Sequence, residues 1–149
     1  MKIAIGCDEA GYEMKEIIKK LLVDKNHEVD DYGTFNGKSV MYPDIGYAAA
    51  KSIADGKNER GILICGTGIG MAIVANKVPG VRAAVCHDPF STERSRKSND
   101  AQIMTMGARV IGMELAKYLV NLWLDCNFDG GGSIPKVEKI KEYEKRSGK

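Results

Sequence analysis

Between Gly61 and Ala72 the chain passes from a strand pattern to a helix pattern through a turn holding three glycines. Gly61-Ile62-Leu63-Ile64-Cys65 is a short apolar, β-branched run of the kind that forms a buried strand. Gly66-Thr67-Gly68-Ile69-Gly70 turns the chain, and Met71-Ala72 enters an apolar helical pattern. Such a turn exposes backbone N–H groups beside the positive end of a helix dipole, so it suits an anion or a forming oxyanion. It also sets the Cys65 sulfur in a field that favours thiolate over thiol. A base or nucleophile beside an anion hole is the start of an active site. The competing interpretation is a nucleotide-type turn with a buried structural cysteine, because glycine-rich turns recur on many α/β folds.

The same alternation runs from end to end. Residues 2–7, 28–32, 61–65, 81–86 and 102–106 read as strands; 12–25, 44–54, 69–77, 91–97, 113–124 and 135–146 read as helices. Helical spacing groups Met14, Ile17, Ile18, Leu21 and Leu22 on the first helix, and turns Ile45, Ala48, Ala49 and Ile53 inward on the second. The pattern predicts a three-layer, Rossmann-like α/β fold over a single domain, 1–149. Its parallel five-stranded sheet is expected in the order 2-1-3-4-5, with helices on both faces and a C-terminal helix. In such sheets ligands bind beyond the carboxyl ends of the strands, where strand order reverses. That point lies between the first and third strands, and there Cys7-Asp8-Glu9 and Cys65-Gly66-Thr67 end their strands.

Charge narrows the partners. With 22 basic and 20 acidic residues the net charge is +2, which gives no argument for nucleic acid or an anionic membrane. The basic tail around Lys136, Lys139, Lys141, Lys145 and Arg146 is interleaved with Glu138, Glu142 and Glu144 and reads as a solvated helix face. No apolar run approaches the roughly 20 residues that span a bilayer. The opening run to Cys7 is too short for a signal peptide and turns polar at Asp8-Glu9. Cys7, Cys65, Cys86 and Cys126 form no C-x-x-C pair, so reduced thiols in the cytoplasm are expected. Neither His27 nor His87 has a metal-ligand spacing with them, and no metal is expected.

Six ordered blocks carry a resemblance across nearly the whole chain. They are Cys7-Asp8-Glu9-Ala10-Gly11, Tyr42-Pro43, Ile64 to Gly70, Ala75 to Ala83, Ser98-Asn99-Asp100 and Gly107-Ala108-Arg109-Val110-Ile111-Gly112. Together they resemble the type B ribose-5-phosphate isomerases and their relatives acting on galactose 6-phosphate and tetrose phosphates. The resemblance implies an isomerisation through a cis-enediolate, free of metal and cofactor, with Cys65 as the base. Backbone amides of Gly66, Gly68 and Gly70 would face the enediolate oxygens, with Thr67 and Asn99 adding hydrogen bonds. Asp8 would hold sugar hydroxyls and shuttle a proton between O1 and O2, or else act as a helix cap. Tyr42 would line the pocket, and Arg109 would bind the phosphate or else pair with a carboxylate such as Glu114. A homodimer is implied, with site residues shared across the interface.

Several positions depart from the family pattern. One branch uses a glutamate as base where this chain has Met71, so the cysteine version applies. Glu9 stands where most relatives have histidine, and Ser98 stands where many have the histidine credited with opening the furanose ring. An arginine of the family pattern is Gly132 here, and a second is Lys136, which lacks the forked geometry. On one reading the substrate is ribose 5-phosphate, with His87 or a water opening the ring and Lys136 joining Arg109 on the phosphate. On the other it is a tetrose 4-phosphate, which cannot close a furanose. A non-catalytic sugar-phosphate sensor is a third reading, disfavoured because Cys65, Thr67, Asp8 and Asn99 are all present.

Overall fold

Lys2–Cys7 (β1) and Arg60–Cys65 (β3) are apolar enough to be covered on both faces, and they pair in parallel at the centre of the structure. This computed structural model describes residues 1–148. Glu28–Asp31 (β2) flanks β1, Ile103–Gly107 (β5) flanks β3, and Ala83–Val85 (β4) forms the far edge. The helices are Tyr12–Asp24 (α1), Tyr42–Ala54 (α2), Ile69–Ala75 (α3), Pro89–Lys97 (α4), Met113–Asp125 (α5) and Ile134–Arg146 (α6). Among the described residues no helix is long and apolar enough to cross a membrane.

The strand order is β2-β1-β3-β5-β4, which corrects the expected 2-1-3-4-5. The reason lies in side chains. All five residues of β5 are buried, as an inner strand requires, while β4 is three half-exposed residues long. The reversal of order between β1 and β3 survives the exchange, so the topological switch point stays where it was expected.

Alternation along each strand sends one set of side chains to each face. Ile3, Ile5, Ile62, Ile64, Met104 and Met106 meet Ile18 and Leu22 of α1 and Leu119 and Trp123 of α5. Ala4, Leu63 and Ile103 meet Ala49 and Ala50 of α2 and Met71 and Ala75 of α3. Ala48, expected inward, is exposed, and Ala50 takes its place. Helix α2 starts two residues earlier than expected because Pro43 suits a first helical turn.

Two buried cations brace this frame. Arg60 Nη1 donates to the Trp123 and Leu124 carbonyls (3.0 and 3.2 Å), and Nη2 to the Cys126 carbonyl and Asn127 Oδ1 (2.9 and 3.0 Å). One guanidinium thus satisfies the end of α5. Lys15, fully buried, donates to both Asp31 oxygens at 2.9 Å and to the Thr34 carbonyl at 2.6 Å, tying down the loop after β2. Burial works to raise the Asp31 carboxyl. Bonds from Lys19, Lys15 and the Gly33 N–H outweigh it and hold that carboxyl below the usual carboxylate range. The stabilisation is therefore complete above the unfolded-state value of about 3.9 and is lost as pH falls below it. Asp31→Asn is expected to cost about 2 kcal/mol at neutral pH and to flatten the acid limb of the melting curve. Melting temperatures measured from neutral to acid pH check this; parallel curves for the two proteins would refute it.

Candidate active site

The ends of β1, β3 and β5 meet at one crest, and the Gly66–Gly70 turn rises from it. Cys65 closes β3 and is 5% exposed; its sulfur accepts the Gly68 N–H at 3.1 Å. Gly68 takes φ +77°, and a Cβ there would lie 2.8 Å from the Met106 carbonyl carbon. Gly107 faces Cys65 in the register, and a Cβ on it would meet the Thr67 backbone at 2.7 Å. Only bare glycines let the turn lie this close on β5. Thr67 Oγ1 accepts the Ile69 N–H at 3.2 Å, and the Thr105 hydroxyl donates to the Gly68 carbonyl at 2.8 Å. Among the described residues the N–H groups of Gly66 and Gly70 have no bonding partner.

Charged groups surround the turn. Asp8 follows β1, and its Oδ1 accepts the Ala10 and Gly11 N–H groups (3.0 and 3.2 Å), so the capping role is real. Burial pushes the Asp8 carboxyl above the usual carboxylate range, against those bonds and the opposing charge of Arg109. Arg109 spreads over Gly66, with Nη1 3.3 Å from where a Cβ would stand. It does not pair with Glu114, which takes Lys117 at 3.1 Å. The Tyr42 ring lies over Gly70, its hydroxyl 2.5 Å from the position of a Cβ. Glu9 reaches the Val40 N–H at 3.4 Å, linking this crest to the loop that Lys15 holds.

His87 comes two residues after β4 and crosses to β5, where its Nε2 accepts the Gly107 N–H at 2.8 Å. A ring nitrogen that accepts a backbone N–H carries no proton, so the imidazole proton is on Nδ1. Burial also pushes His87 below the usual imidazole range. Cys7 lies beneath the crest, its thiol pushed up to about 12 by burial, and takes no part in proton transfer. No group of three His, Cys, Asp or Glu side chains among the described residues has metal-ligating geometry.

The remaining expected residues stand elsewhere. Helix α4 runs back from the carboxyl edge, so Ser98 and Asn99 lie at the amino ends of β4 and β5, where Arg82 Nε donates to the Asn99 carbonyl at 3.0 Å. The five residues of β5 put roughly 15 Å between them and Cys65. Arg94 Nη1 donates to Ser98 Oγ at 3.4 Å. Lys136 is exposed on the first turn of α6. Ile140 of that helix closes a groove of about 450 Å³ beside β4, which Arg94 and Asn99 also line. One chain therefore gathers Asp8, Glu9, Tyr42, Cys65 to Gly70, His87 and Arg109, leaves Ser98 and Asn99 on the opposite side, and carries Lys136 apart on α6.

A family model described as ribose/galactose isomerase matches residues 3–140. The chain belongs to this family. It is an aldose–ketose isomerase. Among curated relatives, the D-erythrulose-4-phosphate isomerase of Pectobacterium atrosepticum is 56% identical over 97% of this chain and 95% of its own. The ribose-5-P isomerase B of Listeria innocua is 54% identical over 99% of each. The solved ribose-5-phosphate isomerase B of Clostridium thermocellum superposes with a TM-score of 0.97, at 47% identity over 99% of both chains.

The sequence reading of this isomerase missed Thr105 and Lys15. The signal for Thr105 is a lone hydroxyl in an otherwise apolar strand, Ile103-Met104-Thr105-Met106-Gly107. Lys15 gave a weaker one, a cation adjoining the apolar stripe of α1 with Asp31 at the end of the neighbouring strand.

Proposed function

We propose that this isomerase interconverts ribose 5-phosphate and ribulose 5-phosphate through a cis-enediolate, with Cys65 as the base. The observation that carries the proposal is the Cys65 sulfur receiving the Gly68 N–H inside a turn whose Gly66 and Gly70 N–H groups have no partner among the described residues. The Gly68 N–H fixes the sulfur at the mouth of the turn, beside the N–H groups that would face an oxyanion. The thiolate removes the proton on C2, the C2 electrons form the C1–C2 double bond, and the carbonyl oxygen becomes the enediolate oxygen. The free N–H groups stabilise that oxygen, and Asp8, with its raised carboxyl, moves a proton between O1 and O2. Return of the proton to C1 gives the ketose. Thr67 and Tyr42 position the sugar and Glu9 lies at the rim.

Arg109 binds one side of the phosphate dianion. Ser98, Asn99 and Lys136 complete the site when a second copy of the chain places its amino-side face against this crest. Supporting that homodimer are the separation of the two groups and the exposed Ile134, Ile140 and Tyr143 of α6 (50%, 48% and 59%). His87, with its proton fixed on Nδ1, is the imidazole available to donate a hydrogen bond to the ring oxygen while a water supplies the proton as the furanose opens. The four unpaired thiols fit a cytoplasmic setting.

One observation favours a four-carbon substrate: the group on the amino side holds no imidazole, and Ser98 is occupied by Arg94. A tetrose 4-phosphate carries phosphate on the oxygen that would close a furanose, so it needs no ring-opening acid. Turnover of D-ribose 5-phosphate beside D-erythrose 4-phosphate decides between them. The pentose is expected to convert with the higher kcat/KM. Preference for the tetrose would transfer the assignment, and turnover of neither would point to a binding protein.

A further inference from the structure

We propose that Thr105 is a positioning residue for the Cys65 reaction, its hydroxyl fixing the direction in which the Gly68–Ile69 peptide points its N–H. The inference rests on Cys65 being the reacting group. Thr105 is the one polar side chain of β5 and is fully buried, where an unpaired hydroxyl is costly. Its partner is the Gly68 carbonyl, 2.8 Å away, which also accepts the Ala72 N–H at 3.1 Å as the first bond of α3. A trans peptide sends its C=O and N–H in opposite directions. With the carbonyl held down on β5, the Ile69 N–H must point up to the open side of the turn, where Thr67 Oγ1 receives it at 3.2 Å.

Gly68 itself offers no resistance to rotation of this peptide. At φ +77° it lacks the Cβ that would confine its neighbours, so the restraint has to come from bonds. Were the peptide to turn over, a carbonyl oxygen would face Thr67 and any anion above it. The Gly68 N–H on the Cys65 sulfur lies in the preceding peptide, which is joined to this one at the Gly68 Cα. The strand beside the base thus sets the polarity of the anion hole.

Thr105→Val keeps the shape and removes the hydroxyl. It is expected to lower kcat about tenfold with KM nearly unchanged, because placement of the reacting groups is lost and uniform binding is not. Alkylation of Cys65 by iodoacetamide at neutral pH, followed by mass spectrometry of its peptide, is expected to slow by a similar factor. Thr105→Ser is expected to restore both. Wild-type kcat and alkylation rate in Thr105→Val would overturn the proposal. If the valine variant does not fold, the comparison of Thr105→Ser with Thr105→Ala isolates the hydroxyl, and equal rates would overturn it. The alkylation arm needs no turnover. A wild-type protein without isomerase activity, whose Cys65 still depends on Thr105, would sink the functional reading and leave this one standing.

Discussion

Cys65→Ala is expected to lower kcat about 10³-fold while sugar-phosphate binding persists. Loss of a positioned general base costs about 10²- to 10⁴-fold, and nothing nearby replaces it. Asp8 has Oδ1 committed to the Ala10 and Gly11 N–H groups, and Met71 accepts no proton. Arg109, the proposed phosphate ligand, lies over Gly66 and does not depend on the sulfur. Calorimetry with the substrate and a stopped assay measure the two quantities separately. Residual turnover within tenfold of wild type would remove Cys65 from the role of base.

The same variant tests the shared site. Asn99→Ala is expected to be impaired alone, since its amide would approach the substrate from the second copy. Mixing the two inactive proteins under subunit exchange is expected to restore about a quarter of wild-type activity. Half of the random pairs are mixed, and each mixed pair has one complete site of two. A mixture as inactive as its parts would refute the sharing.

The second large effect concerns stability. Arg60 is 6% exposed and bonds three carbonyls and an amide at the end of α5. Burial, helped by the charge of Arg96, pushes its pKa down to about 10, which leaves it a cation at neutral pH. Arg60→Met fills the space and strands the carbonyls, at about 1–3 kcal/mol for each that water cannot reach. A total of about 4 kcal/mol is expected, or about 10 °C in melting temperature. Arg60→Lys should recover only part of it, because one ammonium cannot span the four acceptors. Thermal melts of the three proteins check this, and an unchanged Tm in Arg60→Met would contradict it.

Much of the fold was legible because strand and helix periods are local. The strands fall within two residues of the expected bounds, and Cys65 ends its strand as anticipated. Strand order is not local. The exchange of β4 and β5 depends on which strand can be buried on both faces, and the alternation of elements along the chain is identical either way. The crest of the site was readable since Asp8, Glu9 and the glycine turn directly follow their strands. Thr105 escaped because its partner lies 37 residues away and only the closed sheet brings them together. Lys15 escaped because helical periodicity assigns a lysine to solvent, and Asp31 overrules it. The resemblance supplied Ser98 and Asn99 as types, but their place on the far side follows from the direction in which α4 runs.

The close seating of the glycine turn on β5 divides the site into parts with different freedom to change. At Gly68 and at Gly107 any side chain collides with backbone, and backbone cannot step aside. A substitution on either surface needs a matching retreat on the other, so the floor drifts only by rare paired events. Glu9 stands at the rim, exposed on the short turn after β1 with room around it. The rim is thus the part of this frame where a single substitution is accommodated without a second, and the floor is the part where it is not.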